Sequence, residues 1–228
     1  MKKDTKRKKI DWANHLMNFA AVCLGIIITF AGQGLINSCA ERKEVKSSLL
    51  LVRNELQDNL SYIELSDSLM KTYCEAAKFL IRYEGHYNDA PADSMMMHCN
   101  APLFIFDITH AEEALDLMKN SSLFTKIKDL TLSLEIIHTY GKIADEMKMV
   151  KLYNEQKEKY LDEAIGAPVK KILSQDNITA IQLWNAITSS EEGKQFLREL
   201  YRLQIMHDSS DTKQVIENTI REIDQYIN

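Results

Sequence analysis

The run Met95-Met96-Met97-His98-Cys99, with His86 close before it, gathers thioether, imidazole and thiolate groups in one short stretch. These are soft to intermediate donors that suit Cu(I) or Zn, and Met95, Met97, His98 and Cys99 are the candidate metal ligands. Against that chemistry, no ligand pair recurs at an established metal spacing, and three consecutive Met side chains cannot all point one way. A loop that tucks methionine onto an apolar core accounts for the same residues, so no metal and no cofactor are expected. His110, Glu112 and Glu113 cluster near a helix start, and His138, Asp145 and Glu146 share a helical stretch. Neither set has the Glu-x-x-His spacing of a di-iron bundle. Without a G-x-S-x-G, a Walker loop, an H-E-x-x-H or a nucleotide-binding glycine pattern, the chain reads as non-enzymatic, with no catalytic residue to name. Tyr140, Tyr153, Tyr160, Tyr201 and Trp184 read as core or boundary aromatics, and His138 and His207 as surface or boundary residues.

Four cysteines complete the reactive set. Cys74 and Cys99 flank an irregular joint, where a disulfide would be worth roughly 3 kcal/mol by restricting the unfolded chain; two buried free thiols fit the spacing equally well. Cys39 could pair with its counterpart in a second copy.

Location is legible in the first forty residues. Leu16–Ile36 carries no charged residue, and as a helix it would be about 31 Å long, matching a hydrocarbon core of roughly 30 Å. Six basic residues precede it against Asp4 and Asp11. Positive flanks stay cytoplasmic, so residues 1–15 read as a basic cytoplasmic tail, 16–37 as a transmembrane helix and 38–228 as an exported domain. Cleavage after Phe19–Ala31 lacks an A-x-A exit, and acylation at Cys39 would require an unusually long leader with Asn37 near the cut; a retained single-pass anchor fits better. Ala21, Gly25, Thr29 and Gly32 share one face of that helix and form a candidate dimerisation surface in the bilayer. The net charge of −5 includes the basic tail, so the exported part is acidic and has no nucleic-acid footprint.

The elements that must position these groups are helical. Beyond residue 40 the glycines and prolines concentrate at 85–102 and 166–168, which marks joints. Apolar positions Leu49, Val52, Leu56, Leu60 and Ile63, then Met70, Tyr73, Ala77 and Leu80, predict a helix that runs from within the anchor to about Tyr83. Ser66-Asp67-Ser68 is a candidate bend. An irregular joint covers about 85–108, and Thr109-His-Ala-Glu112 has capping-box spacing for the next helix start. That helix should end at Lys119-Asn120-Ser-Ser122. Leu123, Ile127, Leu130, Leu134, Ile137, Gly141 and Ala144 then alternate steps of four and three, predicting a buried coiled-coil-like seam. After Gly166-Ala-Pro168 come helices recapped near Asp176, started at Ser190-Glu-Glu and broken at Asp208–Asp211, with a last apolar face over Val215–Ile227. The expected fold is all-α: a transmembrane helix that continues into an antiparallel helical bundle.

Glu41-Arg42-Lys43 directly after the apolar run, followed by Leu49-x-x-Val52-x-x-Glu55-Leu56-x-x-Asn59, resembles the start of an uncharacterised single-pass family of Bacteroidetes. Ala114–Asn120 with Ser121-Ser122-Leu123 and Ile127 is similar to that family's helix, tight turn and helix, with Ser122 where the family often has Gly. The resemblance implies an inner-membrane protein facing the periplasm and supplies no catalytic residue.

These readings lead to a membrane-anchored scaffold or accessory protein that presents a periplasmic bundle to an envelope partner, with the lipid bilayer and a second copy as further partners. A ligand-binding or sensor-like module acting through a membrane partner is the alternative. A polar cavity in the bundle would favour the second and an uncovered apolar stripe the first.

Overall fold

The computed structural model describes residues 12–107, 109–205 and 207–228. Side chains are described from Ser38 onward, except at Ile205, and before that only at Cys23, Leu24 and Gln33. Among these residues all regular structure is helical. The chain forms two compact units, Met1–Ser48 and Leu49–Asn228.

The first unit is described as the leading part of helix α1, Trp12–Arg82. Among the described residues no helix is long and apolar enough to cross a membrane. Most side chains of Leu16–Ile36, including Ala21, Gly25, Thr29 and Gly32, lie outside the described residues, as does the basic tail through Asp11. Cys39 is exposed and unlinked.

In the second unit α1 continues without a break through Ser66-Asp67-Ser68. The Ser66 hydroxyl donates to the Ile63 carbonyl at 2.8 Å, a bond made inside the helix. Leu49, Val52, Leu56, Ile63 and Leu80 are completely buried along one face, as their spacing predicts. Gly85, at φ 79°, turns the chain out of the helix. The joint that follows is less irregular than expected: α2 spans Ala92–His98, flanked by tight turns at Tyr87–Asp89 and Ala101–Leu103.

Helix α3, Glu113–Asn120, begins four residues after Thr109. The expected capping box does not form. Instead, side chains of α1 serve the start of α3. Glu55 Oε2 accepts from the Ala114 amide at 2.8 Å, Asn59 Oδ1 accepts from the Ala111 amide at 2.8 Å, and Asn59 Nδ2 donates to the Ala111 carbonyl at 2.8 Å. Helix starts leave amide donors without partners, and these two residues supply acceptors from another helix. Ser122 then adopts φ 57°, a left-handed conformation that glycine takes up more readily than serine.

Helix α4, Leu130–Ala164, is started by Asp129, whose Oδ1 accepts from the Thr131 and Leu132 amides. The remaining helices are α5, Ala167–Leu173; α6, Ala180–Ile187; α7, Glu191–Ile205; and α8, Ser210–Ile227. Thr179 and Gln182 form the capping box of α6, in place of the expected Asp176. Helix α4 packs mainly on α7 and α8. It also follows the Leu49–Arg82 part of α1 in the same direction, since Tyr140 meets Glu55 and Lys157 meets Tyr73. The far end of the bundle closes around fully buried Trp184, whose Nε1 donates to the Cys99 carbonyl at 2.9 Å. Ala77, Leu80, Leu161, Phe196 and Leu197 pack in the same cluster. Each large apolar side chain buried here contributes roughly 1.5–3 kcal/mol.

Two helical glycines differ sharply. A Cβ at Gly193 would stand 1.8 Å from the Ile187 carbonyl oxygen, whereas one at Gly141 meets nothing within 4 Å. Gly193→Ala is therefore expected to lower stability by about 1–3 kcal/mol through overpacking against backbone. Gly141→Ala should raise it by about 0.5–1 kcal/mol through helix propensity. Urea unfolding of both variants checks this pair, and equal effects at the two positions would refute it.

Candidate functional site: an uncovered face of α4

The Met-His-Cys run does not converge. Helix α2 turns Met95 and Cys99, four residues apart, into the core at 4% and 7% exposure and leaves Met97 outside at 75%. His98 packs its ring on Phe79, centroids 4.9 Å apart. Among the described residues no group of three or more His, Cys, Asp or Glu is arranged to hold a metal ion. Cys74 and Cys99 are separate buried thiols, so the disulfide drawn from their spacing is not formed. Cys99 Sγ donates to the Met96 carbonyl and packs in the Trp184 cluster. Burial pushes both thiols up, away from the reactive thiolate.

Two polar clusters that sequence reasoning missed tie the bundle together. His207, read as a boundary residue, turns its Nε2 toward two carboxylates. Its Nε2 lies 2.9 Å from Asp67 Oδ1 on α1 and 3.4 Å from Glu146 Oε1 on α4. Asp67 also accepts from Ser209 Oγ at 2.5 Å and Lys213 Nζ at 2.6 Å, and Thr212 Oγ1 donates to Glu146 at 3.2 Å. Burial alone would raise the Asp67 carboxyl, but the bonds from His207, Lys213 and Ser209 outweigh it and hold the group well below the usual carboxylate range. The bond to Asp67 raises His207 against the opposing effect of burial, with Glu146 adding to the rise. Burial raises Glu146. Ser209 bonds the carboxylate rather than the imidazole, so the cluster is a fastener and lacks the hydroxyl-to-base contact of a nucleophile.

The second cluster surrounds Lys157, which is fully buried. Its ammonium stands 3.3 Å from the Tyr73 ring centroid and donates to the Phe104 carbonyl. Asn154 Nδ2 donates to the Phe106 carbonyl at 2.6 Å, so the two side chains strap the segment after Leu103 onto α4. Burial pushes the amine down to about 7, while the ring face favours its charged form. The Tyr73 and Tyr153 hydroxyls beside it are buried without hydrogen-bond partners.

An open groove of about 760 Å³ lies between Ile105, Phe106, Asp107, Thr109 and His110 on one side and the 144–158 stretch of α4 on the other. Lys148 and Lys151 face Asp107, Glu155 and Glu158 there, so the lining has no dominant sign. Just before the groove, α4 shows its most distinctive surface. Leu130, Leu134 and Ile137, placed by their spacing in a buried seam, are 71%, 58% and 46% exposed. Gly141 and Ala144 continue the exposed row. The buried face is the other one: Ile136, Thr139, Tyr140, Ile143, Glu146, Val150, Tyr153 and Lys157. Its polar members mostly find partners across the bundle: the Tyr140 hydroxyl donates to Glu55 Oε1 at 2.5 Å and the Thr139 and Thr219 hydroxyls lie 2.7 Å apart. Burial, with the bond to Glu55, raises the Tyr140 phenol far above its ordinary value.

Comparison with protein-family models, curated proteins and solved structures finds no match for this chain.

The Asp67 cluster sets a pH window. Stability from the raised His207 is complete below about 6.5 and is lost as pH rises through its folded value. Stability from the lowered Asp67 is present above about 4 and is lost as pH falls. His207→Gln should therefore cost most near pH 5 and progressively less above about pH 7. Urea titrations of both proteins at pH 5 and 8.5 measure this; a pH-independent difference would count against the fastener.

Proposed function

We propose that this chain is a membrane-anchored, non-enzymatic scaffold whose helical bundle engages another helical chain of the bacterial envelope through the uncovered face of α4. The supporting observation is that face: three large apolar side chains stand in solvent at coiled-coil spacing on a helix whose opposite side is fully packed. Helix recognition uses rows of this kind, anchored at steps of three and four residues. The charge-free run Leu16–Ile36 behind a basic tail supports a single pass in the inner membrane, with the N-terminus cytoplasmic and the bundle periplasmic. The ligand-binding or sensor-like alternative would use the groove beside α4. Its openness and mixed charge support that reading less than the apolar row supports docking.

Leu134→Glu with Ile137→Glu tests the reading, because both positions are exposed and the fold should tolerate the change. In membranes of the producing cell, a photo-cross-linker at Leu130 should yield adducts that fall at least tenfold in the double variant, with an unchanged melting temperature. Equal adduct yield would sink the docking role.

A further inference from the structure

We infer that the helix covering this face is α4 of a second copy of the chain, packed side by side and in register across a two-fold axis. The inference rests on the docking role proposed above and names its partner. Two observations favour a second copy. The first is size. Leu130, Leu134 and Ile137 offer a few hundred Å² of apolar surface, well short of the roughly 800 Å² per partner of a stable interface between free proteins. A seam of this length suits partners already held together, and tethering to one membrane raises their effective concentration. Copies of one chain share anchor and topology, so a parallel pairing of their rows is open to them. In the bundle unit the first third of α4 meets α1 at Glu55, through Tyr140.

The second observation is Gly141. It lies in the row, mid-helix and exposed, with nothing within 4 Å of the place a Cβ would occupy. No contact among the described residues asks for glycine there, although glycine weakens the helix by about 1 kcal/mol. Close approach of a second backbone over Gly141 supplies the missing reason. The self-pairing then runs Leu130 on Leu130, Leu134 on Leu134 and Ile137 on Ile137, narrowing at Gly141 and Ala144, with alternating steps that keep the seam facing its partner.

Full-length chains reconstituted in liposomes test this. In a Cys23→Ser, Cys39→Ser background, with the buried thiols left in place, mild oxidation of Leu134→Cys or Ile137→Cys should give disulfide dimers. Leu173→Cys, 51% exposed on α5, should give at least tenfold fewer. Adding Ile137→Glu to the Leu134→Cys chain should cut its dimer yield at least tenfold. Self-pairing is overturned by a Leu134 yield no higher than that at Leu173. It is also overturned by disulfides that form only between Leu134→Cys and Gly141→Cys chains, or by a yield indifferent to Ile137→Glu, which would assign the dimer to the anchor. If these dimers fail while the Leu130 adducts still vanish in the double glutamate variant, a different helix occupies the face. If neither responds, the docking role falls with the self-pairing.

Discussion

The Glu55 carboxylate is the interaction on which the bundle most depends. One oxygen accepts from the Tyr140 hydroxyl of α4 and the other from the Ala114 amide at the start of α3. Helix α3 has no side-chain cap of its own, so its first turn is completed by a residue nearly sixty positions earlier. A carboxylate at 9% exposure is tolerable only because both oxygens are used; a partner removed from such a group leaves a buried charge that costs several kcal/mol. That asymmetry fixes three helices relative to one another more firmly than apolar burial can, since burial has no direction and would tolerate sliding.

The same logic is repeated along α1. Asn59 holds the backbone of Ala111 by two bonds, Asp67 gathers the α7–α8 joint, and the Tyr73 ring receives the Lys157 ammonium. The polar residues of this helix meet different later segments, whereas its aliphatic residues fill the space between. Segment order around α1 is thus encoded by a few hydrogen-bonded groups, each expensive to leave unmade.

Much of the architecture was legible in the sequence because helical periodicity is a strong signal. The end of α1 near Tyr83, the stop at Asn120 and the start at Ser190 follow from apolar spacing and punctuation. The face of α4 was misjudged for an identifiable reason. Its first half carries apolar residues on both sides, and the buried side also holds Tyr140, Glu146 and Lys157, whose partners lie far away in sequence. Periodicity weighs hydrophobicity and cannot see a partner. The α3 start failed in the same way: Thr109 and Glu112 have the right spacing, but Glu55 and Asn59 occupy the role from another helix. Those two residues did carry a signal, being an acid and an amide four apart within a row of aliphatic positions. The Met-His-Cys run misled in the opposite sense, because a short helix directs its neighbouring side chains to opposite sides.

Gly193 has a consequence that reaches beyond this one chain. The α6–α7 corner brings the Ile187 carbonyl to the place any side chain would need, so lineages that keep this corner have no freedom at position 193. Position 141 is open to drift as far as the folded monomer is concerned. Divergent descendants would thus record two kinds of constraint in two glycines of one molecule. Retention at 193 would report the shape of the fold, and retention at 141 would report company.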